Sequence, residues 1–344
     1  MSNFGSKTNL LIVGATGQLG IKITHQASFI EQYNVRALVR PTSDTRDLLL
    51  PGIEIARGDL RSKKSLEAAC KGIDIVIATA TVVFPKGTAN FTKDEERGYA
   101  NLLAACQLHK VRQIIFISVA VPFEPEYLRW SLTYRMKSHC ENIIRTSGLT
   151  YTFLRCTPFM DDYFAIIGSR IPLFDEPAAT LNRSRGVTRL IRKVLGRSID
   201  YFGFAIIPGK STQRHAFVAV SDVSSFVLAS IDNPQAKNKE IMVSGPEALS
   251  WIDIAAIYTD FLKRPVRIIE LSRHLLFGLT ILFRPISHIL SNQLSILWII
   301  AVTDTDSHKI NAELFGITLT SARAYLENKV TVFQHSKLRK KNES

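Results

Sequence analysis

The sequence runs Leu10-Leu11-Ile12-Val13 and then Gly14-Ala15-Thr16-Gly17-Gln18-Leu19-Gly20. An apolar run this short, stopped by glycine, is the pattern of a central parallel strand. The glycines then permit three things that other residues resist. Gly14 allows a sharp turn out of the strand. Gly17 lets the backbone approach a diphosphate, and Gly20 lets the next helix pack tightly on the sheet. Ile21, Ile23 and Ala27 give that helix an apolar side. Its first N–H groups and positive dipole end suit an anion. The spacing is Gly-x-x-Gly-x-x-Gly rather than Gly-x-Gly-x-x-Gly, and a tight turn without a ligand would also satisfy it.

The alternation continues along the chain. Val35 to Arg40, Ile53 to Leu60, Asp74 to Ala80, Gln113 to Ser118 and Tyr151 to Arg155 read as strands. Helices stand between them, around Leu66 and Ala69, from about Lys93 to His109, and from about Leu132 to Thr146 ahead of Gly148. Such alternation predicts an α/β fold: a doubly wound parallel Rossmann sheet with a smaller, mainly helical C-terminal lobe. The sheet is assigned to 1–160, with further strands received from about 200–245. The lobe is assigned to 161–334, and 335–344 to a basic, polar, disordered tail.

Ligands of such sheets bind outside the carboxyl ends of the strands. The second strand ends in Arg40, with Arg46 close behind, where an acidic residue would hold the ribose hydroxyls of NAD. A guanidinium cannot accept those protons but matches a 2′-phosphate, so NADP is expected over NAD unless Arg40 is a solvated strand end. Asp59 could meet the adenine amino group, or cap the following helix. Thr79 and Ala80 are small and leave room for a cofactor. The Gly- and Pro-containing stretch from Val82 to Thr92 reads as a loop over the site.

The four cysteines, Cys70, Cys106, Cys140 and Cys156, include no CxxC pair. That spacing argues against a zinc site or a disulfide framework and fits a reducing, cytoplasmic compartment. Met1 to Thr8 is polar and short, without the pattern of a signal peptide. The net charge of +13 would attract phosphates, an anionic membrane or nucleic acid. No aromatic residue is interleaved with Arg183, Arg185, Arg189, Arg192, Lys193 and Arg197, so a nucleic-acid platform is not expected. With Leu190, Ile191, Val194 and Leu195 these residues form a basic amphipathic helix, which either lies on a membrane surface or shows an ordinary solvated face.

Phe217 to Val220 and Glu240 to Val243 read as further strands. Asp222 and Ser250 read as N-caps of the helices that follow them. Leu275 to Phe283 is apolar, and Pro285 to Val302 carries no formal charge. Both are too short or too polar to span a bilayer and read as buried or interfacial helices.

Hydride transfer to a carbonyl needs a proton donor beside the reacting oxygen. Ser118 ends a strand, and Tyr134 and Lys137 stand on the following helix. Together, Gly14 to Gly20, Gly58-Asp59-Leu60, Gly98-x-x-Asn101-Leu102, Phe116-Ile117-Ser118 and Ser147-Gly148-Leu149-Thr150-Tyr151-Thr152-Phe153-Leu154-Arg155 resemble the NmrA-like branch of the atypical, extended short-chain dehydrogenase/reductase superfamily. Arg214-His215-x-Phe217-Val218-x-Val220-x-Asp222-Val223 and Ser244 to Ser250 extend the resemblance, which covers roughly 8–270. It implies that Gly14, Thr16, Gly17, Gln18, Leu19 and Gly20 hold the pyrophosphate and Arg40 the 2′-phosphate. It further implies Asp59 and Leu60 at the adenine, Thr79 and Ala80 on the ribose side, and Lys137 at the nicotinamide ribose. The superfamily's Tyr-x-x-x-Lys pair is out of register: Thr133 stands four before Lys137, and Tyr134 three before it, about 100° away around a helix.

Three functions remain open. One is an NADP-dependent reductase of a small or apolar carbonyl-type substrate, with Phe159, Met160, Tyr163 and Phe164 either lining its site or forming plain core. Arg155-x-x-x-Phe159-Met160, Ile171-Pro172 and a late Phe315-Gly316 before Ala324-Tyr325-Leu326 resemble the photosystem II assembly factors of cyanobacteria and plastids, and imply as another function a non-catalytic nucleotide-binding regulator or assembly factor. The last is a peripheral membrane enzyme with a lipid-like substrate.

Overall fold

The computed structural model describes residues 7–80, 91–183 and 196–342. Most of the predicted loop from Val82 to Thr92, and Arg185, Arg189, Arg192 and Lys193 of the basic segment, lie outside the described residues. The strands are β1 (Thr8–Val13), β2 (Tyr33–Val39), β3 (Ile53–Arg57), β4 (Ile75–Ala78), β5 (Gln113–Val119), β6 (Thr150–Cys156), β7 (Phe204–Pro208), β8 (Arg214–His215), β9 (Lys239–Val243), β10 (Leu249–Ser250) and β11 (Arg267–Leu271). The helices are α1 (Gln18–Ser28), α2 (Lys63–Cys70), α3 (Phe91–Leu108), α4 (Pro125–Trp130), α5 (Leu132–Arg145), α6 (Met160–Ile166), α7 (Val220–Ala229), α8 (Trp251–Leu262), α9 (Arg273–Phe283), α10 (His288–Ile300), α11 (Lys309–Leu314) and α12 (Ala322–Asn342).

Among the described residues, seven strands form the main sheet in the order β3-β2-β1-β4-β5-β6-β9. The pairings of β1 with β2 and β4, of β2 with β3, and of β4 with β5 are all parallel. β1 lies inside the sheet, and Leu10 to Val13 are buried on both faces, as their unbroken apolar run requires. The strand order reverses between β1 and β4, where a crevice opens at the carboxyl ends of an α/β sheet.

The chain divides into two compact units, each with its own core. One comprises Met1–Phe123, Leu132–Arg155 and Val223–Met242. Its core holds Leu11, Val13, Val76, Tyr99, Phe116 and Phe153. The second comprises Glu124–Ser131, Cys156–Asp222 and Val243–Ser344. Its core holds Met160, Phe164, Phe217, Trp251, Tyr258 and Tyr325. Two of the residues offered as a substrate lining, Met160 and Phe164, are thus buried in that core, at 1% and 0% exposure.

Several local expectations need correction. Phe217 to Val220 is not a strand: Val218 makes a single bridge to Phe159, because α6 and α7 begin directly afterwards and curl both partners away. Asp222 is no N-cap. It is the third residue of α7, and its carboxylate accepts hydrogen bonds from Thr320 N at 2.7 Å and Thr320 Oγ1 at 2.8 Å. Asp59 does not cap α2; Ser62 does, accepting from Ser65 N at 3.3 Å. The stretch 335–342 is helical rather than disordered, for α12 meets no glycine or proline before Asn342. Ser250 is the expected N-cap, in a capping box with Asp253. The helices α9 and α10 are as read, and no helix of the described residues is long and apolar enough to cross a membrane.

The second unit buries polar groups in an aromatic setting. His215 is fully buried against Phe217 and Trp251, with ring centroids 5.5 and 5.8 Å away. Neither its ring nitrogens nor the Trp251 indole N–H has a hydrogen-bond partner among the described residues. Burial disfavours the imidazolium and lowers the His215 pKa from 6.5 to about 4. The unfolded chain therefore binds this proton first, and stability falls by roughly 3 kcal/mol as pH drops from 6.5 to 4. Asp162, whose Oδ1 is inaccessible, has the opposite sign. Burial, with Asp161 beside it, raises its carboxyl from 3.8 to about 7, so stability rises as pH falls through that range. His215→Phe should remove the first slope and leave the second. Its unfolding free energy relative to wild type should climb between pH 6.5 and 4.5; a pH-independent difference in denaturant unfolding would refute the assignment.

Candidate cofactor site

The turn after β1 is built as its glycines imply. Gly14 has φ +91°, and a Cβ there would lie 2.7 Å from Thr79 Oγ1 and 2.8 Å from Ala80 N. A Cβ on Gly17 would lie 3.0 Å from Gly14 O, and one on Gly20 only 2.2 Å from the same oxygen. Gly17 N donates to Gly14 O at 2.8 Å, closing the turn, and α1 starts at Gln18. Gly17 caps α1 without a side chain, and no carboxylate stands in its first turn. A helix start with positive dipole end and no competing anion accepts a phosphate. The chemistry and the space of this turn therefore fit a dinucleotide diphosphate, which the stretch Gly14, Thr16, Gly17, Gln18, Leu19 and Gly20 would hold.

Across the switch point, β4 closes on the same turn. Thr79 Oγ1 donates to Val13 O at 3.0 Å, and Thr79 N and Ala80 N donate to that carbonyl at 2.9 and 3.2 Å. Tyr99 OH donates to Ala80 O at 2.6 Å. The Asp59–Leu60 corner is held from α3: Asn101 Nδ2 donates to Leu60 O at 3.2 Å, and a Cβ on Gly98 would sit 3.0 Å from Leu60 Cβ. The Gly98-x-x-Asn101 spacing is thus a clamp on that corner. Asp59 itself forks with Arg61, at 3.0 and 2.9 Å, and the Arg61 guanidinium holds its carboxyl below the usual range.

Of the two arginines beyond β2, the structure separates the roles. Arg46 forks with Asp44, at distances from 2.6 to 3.1 Å. Arg40 is exposed, and its positive charge also lowers the Asp59 pKa. The loop that carries it is tied from below by Arg57, whose Nη1 donates to the carbonyls of Arg40, Pro41 and Ser43 at 3.4, 3.3 and 3.0 Å. Nothing in the sequence singled out Arg57 or Tyr99; strand position and helical spacing could have.

At the end of β5, Lys137 meets the strand at Ile117, next to Ser118 in the chain. Lys137 Nζ donates to Ile117 O at 2.5 Å and sits 4.6 Å from the Phe116 ring centroid. Strand alternation puts Phe116 and Ser118 on one face, so the ammonium shares a side with the Ser118 hydroxyl. Ser118 is 3% exposed, and its Oγ has no hydrogen-bond partner among the described residues. Lys137 is 6% exposed, its charge held by a carbonyl and a π face. Tyr134 is also buried and meets the Phe123 ring edge-on at 6.4 Å. Among the described residues, no three His, Cys, Asp or Glu side chains gather as a metal site.

The helix that delivers Lys137 is fastened one turn later. Glu141, nearly inaccessible, accepts from Arg155 Nη2 at 2.7 Å. Arg155 also reaches Glu240 at 3.1 Å, and Arg145 reaches Glu240 at 2.6 Å. These four charges tie α5 to β6 and β9.

A family model described as NAD(P)H-binding matches residues 14–185, from the first glycine of the turn onward. The chain belongs to this NAD(P)H-binding family. It is 31% identical over 169 residues to the photosystem II assembly factor Ycf39 of Cyanophora paradoxa, a match covering 49% of the chain and 50% of the factor. The chain thus aligns with about half the length of that relative. It is 23% identical over 268 residues to the NAD(P)H azoreductase of Xenophilus azovorans, covering 76% and 77% of the two. The fold is also that of the NADPH complex of the quinone oxidoreductase QOR2 of Escherichia coli, with TM-score 0.64 and 17% identity over 93% of this chain and 99% of that one. The NmrA-like resemblance and the Rossmann architecture both stand.

Proposed function

We propose that the chain is an NADPH-dependent reductase of a small, apolar carbonyl-type or similarly reducible substrate. The placement of the Gly14–Gly20 cradle and of Ser118 and Lys137 at the carboxyl ends of β1 and β5, one strand apart in the same sheet, carries this reading. The bound nicotinamide supplies a hydride. The chain's own residues do the rest. The Ser118 hydroxyl, with a hydrogen to give, polarises the substrate oxygen. Lys137 orients the ribose, and its ammonium stabilises the negative charge developing on the substrate oxygen and gives that oxygen the proton that completes the reduction, to be replaced from solvent. Tyr134 and its out-of-register phenol are left as support for the Phe123 side. Four cysteines buried as thiols rather than joined in disulfides favour a reducing, cytoplasm-like setting.

Titration of NADPH and NADH, followed by fluorescence, tests the cofactor half. Arg40→Ala should weaken NADPH binding about ten- to a hundredfold and leave NADH binding within a factor of about two, since only the 2′-phosphate contact is removed. Equal losses for both would refute the role of Arg40. NADPH consumption with quinone, azo and carbonyl substrates tests the catalytic half. Lys137→Met should lower kcat by about a hundredfold or more, and Tyr134→Phe by less than about threefold. The reverse order would restore the tyrosine as proton donor.

A second reading is favoured by the match to Ycf39 and by Thr133 standing where the superfamily's tyrosine would be. Here the chain binds NADPH and docks a protein partner without turnover. Tight NADPH binding with no consumption across the substrate panel would decide for it.

A further inference from the structure

The second unit carries an exposed apolar face that the nucleotide site does not use. On α9, Leu275, Gly278 and Leu282 follow at three- and four-residue steps, and so share one side of the helix. Ile281 lies beside them, and Pro285 and Ile286 continue the strip beyond the helix end. Leu275 is 50% exposed, Ile281 41%, Leu282 58% and Ile286 71%. A Cβ built on Gly278 meets nothing within 4 Å, so the middle of the strip is open. The opposite side of α9 is fully engaged: Leu276 and Thr280 are buried, Ser291 Oγ donates to Thr280 O at 2.8 Å, and Phe277 packs on Trp298 at 4.9 Å. The exposure therefore does not come from a loosely seated helix.

The charge around the strip has one sign. Between Glu270 and Asp304 the sequence has no acidic residue, and its formal charges are Arg273 and Arg284, joined by His274 and His288. All four are exposed. Beside the strip, the Trp130 ring packs on Phe277 at 5.5 Å, with the Arg284 and Arg129 guanidinium groups 5.1 and 5.2 Å from its centroid. Of the acidic residues flanking these elements, Glu124 and Glu126 lie at the far end of α4, and Glu270, ahead of α9 in β11, is engaged by Ser211 N at 2.6 Å.

We propose that this face of α9 docks on an anionic lipid bilayer, lying in the plane of the interface. Leucine and isoleucine enter the acyl boundary, arginines reach the lipid phosphates, and Trp130 sits at headgroup level. At 11 residues α9 is too short to span. The charge complementarity of Arg129, Arg273 and Arg284 at the edge of the strip selects an anionic surface over a second copy of this equally cationic chain. The proposal does not depend on the nucleotide-binding reading.

The test is sedimentation of the full chain with vesicles of phosphatidylcholine, alone or mixed with phosphatidylglycerol. Wild type should pellet with the mixed vesicles at low salt, less at high salt, and little with phosphatidylcholine alone. The double variant Leu282→Glu/Ile286→Glu should weaken this by about tenfold or more, with unchanged circular dichroism and NADPH affinity. Arg284→Glu, a second exposed change, should weaken binding to the mixed vesicles severalfold. Wild type remaining in the supernatant would overturn the proposal. So would full binding by the double variant with loss on replacing Arg189, Arg192 and Lys193, which would place the contact elsewhere. A wild-type dimer that the double variant converts to monomer would show the face to be covered by protein instead.

Discussion

Gly20→Ala should abolish measurable NADPH binding and lower the unfolding free energy by about 3 kcal/mol. The added Cβ would stand 2.2 Å from Gly14 O and 2.9 Å from Ala15 Cα, both backbone atoms that cannot swing away. Relief requires α1 to lift from the turn, and overpacking of this kind costs about 1–3 kcal/mol or more. The same lift moves the Gln18–Gly20 backbone off the position where a diphosphate would rest. Gly148→Ala is the comparison: Gly148 also has a positive φ, but a Cβ there meets nothing within 4 Å. That substitution should cost about 1 kcal/mol of backbone strain and leave NADPH affinity unchanged. Denaturant unfolding and fluorescence titration read both quantities, and equal effects of the two substitutions would show that the crowding at Gly20 is not what matters.

Glu141→Ala should be the most damaging single change away from the turn, by about 3 kcal/mol. Glu141 is only 3% exposed in its side chain, and its removal leaves Arg155 with Glu240 alone. Breaking one partner of a buried ion pair costs about 3–5 kcal/mol, because the remaining charge stays desolvated. Arg155 is 22% exposed and retains one carboxylate, so the loss lies at the lower end of that range. Lys137 lies one turn before Glu141 on α5, so looser anchoring should also raise the Km for NADPH severalfold at temperatures where the variant is folded. Glu141→Gln keeps the shape and one acceptor and should recover about half the loss. A variant as stable as wild type would show that Arg145, Arg155 and Glu240 suffice.

The parts of this molecule that were legible in the sequence are those governed by local rules. The run Leu10 to Val13 had to be a buried parallel strand, and the glycine spacing had to be a turn into a helix. Ser250 announced its own cap, and the structure added Asp253 to it. What failed depended on partners distant in sequence. Asp222 looks like an N-cap locally, yet its carboxylate is committed to Thr320, almost a hundred residues on. The apolar alternation at Phe217 to Val220 is that of a strand, but α6 and α7 begin on either side of its single bridge and leave no ladder to extend. Arg46 and Arg40 look equivalent in a sequence. Only geometry shows Asp44 taking the first and Arg57 bracing the loop of the second. Likewise Gly98 and Asn101 signalled kinship, while their work on Leu60 O emerged from the fold.

The seventh strand of the sheet, β9, comes from residues 239–243, some eighty residues after β6, which it flanks. A chain cut after residue 160 would retain the whole glycine turn, Arg40, Ser118 and Lys137, and would look like a self-sufficient nucleotide-binding module. It would also strip β6 of one of its two neighbours and leave a row of unpaired N–H and C=O groups along a strand whose Phe153 and Leu154 are fully buried in the intact chain. Such an edge recruits other strands. The fragment's fate would be self-association into insoluble material rather than a miniature binding protein, and the late return of the chain to the sheet is what keeps the intact molecule from that fate.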